Sequence, residues 1–89
     1  WRRRAEEVRS RAAEAEAEIA AARAEVRRLE NDFYAWSDGN YRERVIRPAW
    51  DQARERLKSL EAAAEEARSA VEGLEEEARK SGTPPGWLR

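Results

Sequence analysis

The chain has 89 residues, 42% charged and 40% hydrophobic, and contains neither cysteine nor histidine. This length allows one small domain, and the missing residue types exclude disulfides, thiolate zinc sites and histidine-based acid–base catalysis. Eighteen basic residues against nineteen acidic ones leave a net charge of −1, so no bulk positive charge attracts nucleic acid or an anionic membrane.

The first predicted element is a long helix over residues 1–36. Apolar residues recur along it at alternating steps of four and three, which is the spacing of a coiled-coil seam. The series is Trp1, Ala5, Val8, Ala12, Ala15, Ile19, Ala22, Val26, Leu29, Phe33 and Trp36. Because no position in this series is polar, we predict that the whole helix packs against a second helix.

A reversal of the chain is predicted over residues 37–49. It starts with Ser-Asp-Gly-Asn at 37–40, residue types that favour turns. Asn40 as an N-cap predicts a short helical turn over 41–46. Pro48 fits the first turn of the following helix, since the missing N–H of proline is not needed there. A single helix kinked at the proline is the alternative.

A second long helix is predicted over residues 50–80, and its seam spacing already begins inside the reversal. That series is Ile46, Trp50, Ala53, Leu57, Leu60, Ala64, Ala67, Val71, Leu74 and Ala78. Two helices joined by a short reversal pack antiparallel. The predicted fold is therefore all-α: two long helices form an antiparallel coiled-coil hairpin, with a short helical turn at its tip.

Residues 81–89 are predicted to form a non-helical tail, because Gly82 ends the helix and the prolines at 84–85 prevent its continuation. We expect Trp87 to close over Trp1 at the open end of the hairpin. An exposed recognition tail is the alternative.

Two further features concern the origin of the chain. It begins with Trp1 instead of methionine, from which we expect a fragment of a longer protein. Sixteen of its eighteen basic residues are arginine, a bias that we read as typical of GC-rich bacterial genes. No apolar run approaches the ~20 residues of a transmembrane helix, so no membrane span is expected in this chain.

Charge selects the antiparallel register. With Trp36 opposite Trp50, the flanking pairs are all attractive, whereas a shift of one heptad in either direction creates three repulsive pairs. The attractive pairs are Glu30–Arg54, Arg23–Glu61, Glu16–Arg68, Arg9–Glu75, Asp32–Arg56 and Arg11–Glu77. Each exposed pair contributes roughly 0.3 kcal/mol, so together they choose a register without driving folding.

The tip carries the first candidate binding surface. Four of its large apolar residues occupy seam positions and are expected to form a small aromatic core that stabilises the turn. They are Phe33, Trp36, Ile46 and Trp50. Off the seam, tyrosines lie beside arginines, a combination that suits a protein partner because aromatic rings offer rigid contact area and arginine makes forked hydrogen bonds. The candidate partner-binding residues are Tyr34, Trp36, Tyr41, Arg42, Arg44, Arg47 and Trp50.

The second candidate surface is an alanine stripe on the outer face of the first helix. Its members are Ala13, Ala17, Ala20 and Ala24. The high helix propensity of alanine accounts for such a stripe. The alternative is close packing against a second copy of the chain, which forms a four-helix bundle.

These observations favour a non-enzymatic scaffold or interaction module that presents its aromatic–arginine tip to a protein partner. No catalytic, metal-binding or cofactor-binding residues are predicted, and no cofactor is expected. Alternatives are a self-associating hairpin that forms a homodimer, a coiled-coil appendage of a larger enzyme or transporter, and phosphate or nucleic-acid binding at the tip. Nucleic acid is the least favoured, because the flanking helices carry many carboxylates.

Overall fold

The structure is a computed structural model and describes residues 1–83. Over this range two long helices run antiparallel and pack against each other, in a molecule about 63 Å long and 15 Å across. The all-α hairpin predicted from the heptad spacing is confirmed. The prolines at 84–85 and the proposed contact of Trp87 with Trp1 lie outside the described residues.

Helix α1 spans Arg2–Ala35 and ends where the backbone of Trp36 turns extended, with φ −77° and ψ 130°. The Trp36 N–H still donates to the Asp32 carbonyl over 2.9 Å, which closes the last turn. The next helix starts at an N-cap on Asp38, whose carboxylate accepts hydrogen bonds from the N–H groups of Asn40 and Tyr41. The predicted cap at Asn40 is therefore wrong by two positions, because Asp38 has the extended backbone that an N-cap residue requires.

The second helical stretch begins well before residue 50, where the sequence led us to expect the second long helix to start. Its consecutive parts are α2 (Gly39–Tyr41), a π-helical turn (Arg42–Ile46) and α3 (Arg47–Lys80). The predicted short turn at the tip is thus helical, but it is continuous with the long helix. The reversal itself is confined to residues 36–38.

Pro48 explains the π-helical turn that precedes it. A proline inside an α-helix lacks an N–H, and its ring clashes with the carbonyl four residues back, here that of Arg44. In the π-helical turn the Arg47 N–H donates to the Arg42 carbonyl, a step of five residues instead of four. This wider turn makes room for the proline ring, so the helix passes through Pro48 instead of starting there.

The core coincides with the predicted seam. Among residues 1–83, every buried residue lies in one of the two seam series: Ala5, Ile19, Ala22, Leu29, Phe33, Ile46, Ala64, Leu74 and Ala78. The remaining seam positions are half-buried, with Trp36 as the exception. Four of the nine buried residues are alanine, which removes little apolar area from water, so the hydrophobic stabilisation of this seam is modest.

One flank of the seam carries ion pairs that the charge argument predicted. Arg23 pairs with Glu61 at 3.8 Å, and Glu16 pairs with Arg68 at 3.2 Å. All four side chains are about half exposed, so each pair contributes well under 1 kcal/mol. Two of the four pairs predicted on this flank are thus present, whereas Arg54 pairs with Asp51 instead of Glu30.

The seam contacts are displaced by about half a heptad from the predicted register. Phe33, not Trp36, packs against Trp50, with ring centroids 5.4 Å apart. At the opposite end Glu77 pairs with Arg4 at 3.0 Å, one heptad away from its predicted partner. The prediction that Trp36 faces Trp50 is wrong because α1 ends before Trp36. Burial of an aromatic pair outweighs differences of a few tenths of a kcal/mol among exposed ion pairs.

This register makes a testable prediction about crosslinking. With cysteines at positions 4 and 77, a short bismaleimide should join the helices rapidly, because the native side chains meet at 3.0 Å. With cysteines at positions 11 and 77 the reaction should be slow, since seven residues of helix add about 10 Å along the axis. Crosslinking yield on denaturing gels measures both. Faster crosslinking of positions 11 and 77 would instead support the register with Trp36 opposite Trp50.

Candidate functional site

The tip, defined here as residues 33–54, is where large apolar side chains are exposed. In the described part of the chain the exposed ones are Tyr34 (69%), Trp36 (46%), Tyr41 (39%) and Val45 (48%). All four lie within twelve positions of one another. Larger apolar side chains elsewhere in residues 1–83 are buried or half-buried in the seam.

A small aromatic core lies on the interior side of the tip, between the two helices. Phe33 is only 8% exposed, and Ile46 is buried beside the reversal. The ring of Phe33 contacts Tyr34 edge-on at 5.3 Å and the half-buried Trp50 at 5.4 Å. Of the four residues expected in an aromatic core, the structure therefore brings Phe33 and Trp50 together and buries Ile46, and it leaves Trp36 exposed.

Trp36 instead stacks on Tyr41. The ring centroids are 4.7 Å apart and the planes differ by 24°. Two local features produce the stack: the extended backbone at Trp36 and the Asp38 cap, which starts the helix that carries Tyr41. Val45 follows Tyr41 by four residues, so it continues the same helix face. Trp36, Tyr41 and Val45 form an exposed platform, which we call the tip platform.

Sequence reasoning missed Val45. It lies off the seam, next to the buried Ile46. A valine side chain is neither aromatic nor charged, so by its type alone it does not indicate a binding surface. Its spacing of four from Tyr41 was a usable signal, because residues at that spacing share a face. Tyr34, by contrast, was predicted and is the most exposed of the four.

The predicted arginines of the tip divide into two kinds. Arg42 and Arg47 place their guanidinium carbons 5.5 and 4.9 Å from the Phe33 ring centroid, so both cover the aromatic core as cation–π partners. Arg54 lies in the same way over Trp50, at 4.1 Å, although it was not predicted as a tip residue. These side chains hold the tip together.

Arg44 is of the other kind. It is exposed, and within residues 1–83 no carboxylate lies within ion-pair distance of it. It directly precedes Val45 in the π-helical turn, so its backbone adjoins that of one residue of the tip platform.

Glu43 does not offset the charge of Arg44, because it is engaged with Arg47. The hydrogen bond from the Arg47 guanidinium is the main cause that lowers the pKa of Glu43 below its ordinary value. A carboxyl with a lowered pKa stays ionised at neutral pH, and the two charges of this pair cancel. Asp38 is likewise occupied by two backbone N–H groups at the start of α2.

Two buried donors at the tip have no hydrogen-bond acceptor among residues 1–83. They are Nε of Arg42 and Nε1 of Trp50. An unsatisfied buried donor opposes folding by about 1–3 kcal/mol, although the contact with the Phe33 ring offsets part of this for Arg42.

The alanine stripe is exposed along its whole length, at Ala13, Ala17, Ala20 and Ala24. Two shallow grooves flank the seam nearby, with volumes of about 370 and 420 Å³. The first is rimmed by several glutamates, and Ala13 is the stripe residue that lines the second. The structure does not bring the four alanines against any described element.

The described helices meet the requirements of neither a metal site nor a membrane span. Within residues 1–83 no three acidic side chains converge to hold a metal ion, and the described helices include none that is long and apolar enough to cross a bilayer. The expectation that this chain has no catalytic residues stays a prediction. No protein-family model, no curated protein and no solved structure matches this chain.

Proposed function

We propose that this hairpin is a non-enzymatic interaction module that presents its aromatic–arginine tip to a protein partner. One observation carries the proposal: the exposed large apolar side chains of the described residues all lie between positions 34 and 45. Clustered exposed apolar side chains mark interaction sites, whereas single ones are common on any surface. Tryptophan, tyrosine and arginine are also the residue types that dominate the binding energy of interfaces.

The shape of the molecule supports this function. At the end opposite the tip, Trp1 packs against the cluster of Ala5, Leu74 and Ala78, so residue 1 and the end of α3 lie close together. The 34 residues of α1 extend about 51 Å at 1.5 Å per residue. The two helices thus hold the tip far from both ends of the described chain, as a scaffold would.

The tip platform is also held in place before any partner arrives. Trp36 and Tyr41 stack on each other, and the aromatic core beneath them is covered by arginines. Side chains that are already ordered lose less conformational entropy on binding. A small platform of this kind can therefore contribute useful affinity despite its limited area.

Other functions remain alternatives. Self-association through the alanine stripe predicts that Ala20→Glu converts a dimer to a monomer, which sedimentation equilibrium would detect. Phosphate or nucleic-acid binding at the tip predicts affinity that falls steeply with salt. An appendage of a larger enzyme or transporter is compatible with the proposed module, because the tip would act in the same way.

The proposal is tested by comparing variants of the tip with variants of the shaft, by which we mean residues 2–32 and 55–80 of the two long helices, in the same binding assay. A photo-crosslinking amino acid replaces Val45 in one protein and Ala20 in another, and crosslinked partners are identified by mass spectrometry. We expect a defined partner from the Val45 position only. With the purified partner, Trp36→Ala combined with Tyr41→Ala should weaken binding about a hundredfold, as two central aromatic contacts are lost.

Arg27→Glu on the exposed shaft is the matched control and should leave affinity within about twofold. Circular dichroism must show that both variants keep their helix content. Equal crosslinking from both positions, or unchanged affinity of the tip variant, would contradict the proposed function.

A further inference from the structure

We infer that the partner segment recognised by the tip is acidic and apolar. It places an aspartate or glutamate on Arg44 and an aliphatic or aromatic side chain on the tip platform. This inference rests on the proposed function and adds the chemistry of the partner.

The apolar half of the inference follows from the size of the tip platform. Trp36, Tyr41 and Val45 are each 39–48% exposed, so roughly half of each side chain is already covered by the hairpin. The platform consists of three side chains, and it lies at the end of a narrow molecule about 15 Å across. Such a surface accommodates one or two apolar side chains of a short segment and is too small for a standard protein–protein interface.

The acidic half follows from the charges around the tip platform. Arg47 is neutralised by Glu43, and Arg42 is half-buried with its guanidinium over Phe33. Arg44, which directly precedes Val45 of the tip platform, is left exposed and, among residues 1–83, without a carboxylate in ion-pair range. A carboxylate of the partner gains a charge-assisted, forked hydrogen bond there, and a lysine at the same place would be repelled.

Nucleic acid and anionic membranes match the charges of the tip less well than an acidic peptide does. Proteins that bind nucleic acid neutralise several phosphates at once, and each contact adds about one unit to the salt slope. The tip offers Arg44 as its one exposed cation without an ion-pair partner among residues 1–83, and one such cation is enough for one carboxylate but not for several phosphates. An anionic membrane surface meets the same objection, because stable attachment needs a larger apolar face together with several cations.

The experiment selects ligands from random peptides displayed on phage. The hairpin is immobilised through its first residue, which leaves the tip free, and the variant with Trp36→Ala and Tyr41→Ala removes peptides that do not need the tip. We expect enriched peptides to combine Asp or Glu with a nearby aliphatic or aromatic residue. A synthetic peptide of this set should lose about tenfold in affinity toward the Arg44→Glu hairpin.

A charge exchange provides the sharper control. The same peptide with its acid replaced by lysine should bind poorly to the native hairpin and should regain affinity for the Arg44→Glu hairpin. Arg27→Glu on the shaft should not change the affinity of either peptide. Fluorescence anisotropy of labelled peptides measures all combinations, and circular dichroism checks that each variant remains helical.

The outcomes separate this inference from the proposed function. Peptides that need the tip but lack acidic residues, and that bind the Arg44→Glu hairpin equally well, would overturn the acidic partner and leave the proposed function standing. Recovery of no tip-dependent peptide would contradict both. Binding of phosphatidylserine vesicles or single-stranded DNA by the tip, with steep salt dependence, would replace the acidic peptide with a polyanion.

Discussion

Replacing Phe33 with alanine is expected to destabilise the hairpin by about 3–4 kcal/mol. Phe33 is the largest of the buried side chains, and its ring contacts Trp50 and Tyr34 while two arginines lie over it. Alanine leaves a cavity and removes the surface on which those arginines rest. For a chain of this length the total stability is about 4–13 kcal/mol, so the variant should lose at least about a quarter of it and unfold at a clearly lower urea concentration.

The neighbouring residue supplies the control for Phe33. Tyr34→Ala removes a ring of similar size that is 69% exposed, and we expect it to change stability by less than about 1 kcal/mol. Thermal and urea unfolding followed by circular dichroism at 222 nm, the standard helix wavelength, measure both variants. If the two variants were equally stable, burial of the Phe33 ring would not be a main source of stability at the tip.

The second large effect is expected from a charge placed in the middle of the seam. Ala22→Glu puts a carboxylate at a position that is 7% exposed, where it must lose hydration or push the helices apart. We expect a loss of about 2–3 kcal/mol, limited by the ability of the long side chain to reach the edge of the seam. In a chain of this length, a loss of this size lowers the melting temperature by about 8–24 °C.

Ala21→Glu is the matched control, because it makes the same substitution one position earlier on an exposed face. Helix propensity and net charge change equally in the two variants, so their difference isolates burial. Ala21→Glu should shift stability by less than about 0.5 kcal/mol. Equal melting temperatures would mean that the seam around Ala22 is not closed in solution.

The two expected effects concern different parts of the molecule that stabilise the folded hairpin. Along the two long helices the buried side chains are alanines and single aliphatic residues, whereas at the tip the large ring of Phe33 is buried against Trp50. The tip thus combines a structural role with the proposed binding role. A partner that binds the tip platform should also stabilise the hairpin, because ligand that binds only the folded state shifts the folding equilibrium.

Much of the fold was predictable because it depends on local pattern. Heptad spacing is a property of each helix alone, and it identified every residue that the structure buries. Antiparallel packing follows from two such helices and a short reversal. The site was less predictable: residue types placed it at the tip, but they did not show which arginines support the core and which is exposed.

The register could not be obtained from charge alone. Ion pairs on an exposed surface differ by only tenths of a kcal/mol, and long side chains reach partners in more than one register. Contacts between residues far apart in the chain decide it, above all Phe33 against Trp50 at 5.4 Å. These contacts exist only after the helices have met.

The sequence by itself determined the helices, their seam and their antiparallel arrangement, since these follow from the periodicity of apolar residues along one chain. Tertiary structure decided where α1 ends, how the helix passes Pro48, and which tip side chains remain exposed. The physical reason is that each of these depends on a balance between local backbone preference and packing across the reversal. Trp36 illustrates it best: its seam spacing predicted burial, but the helix ended one residue earlier and its ring stacked on Tyr41 instead.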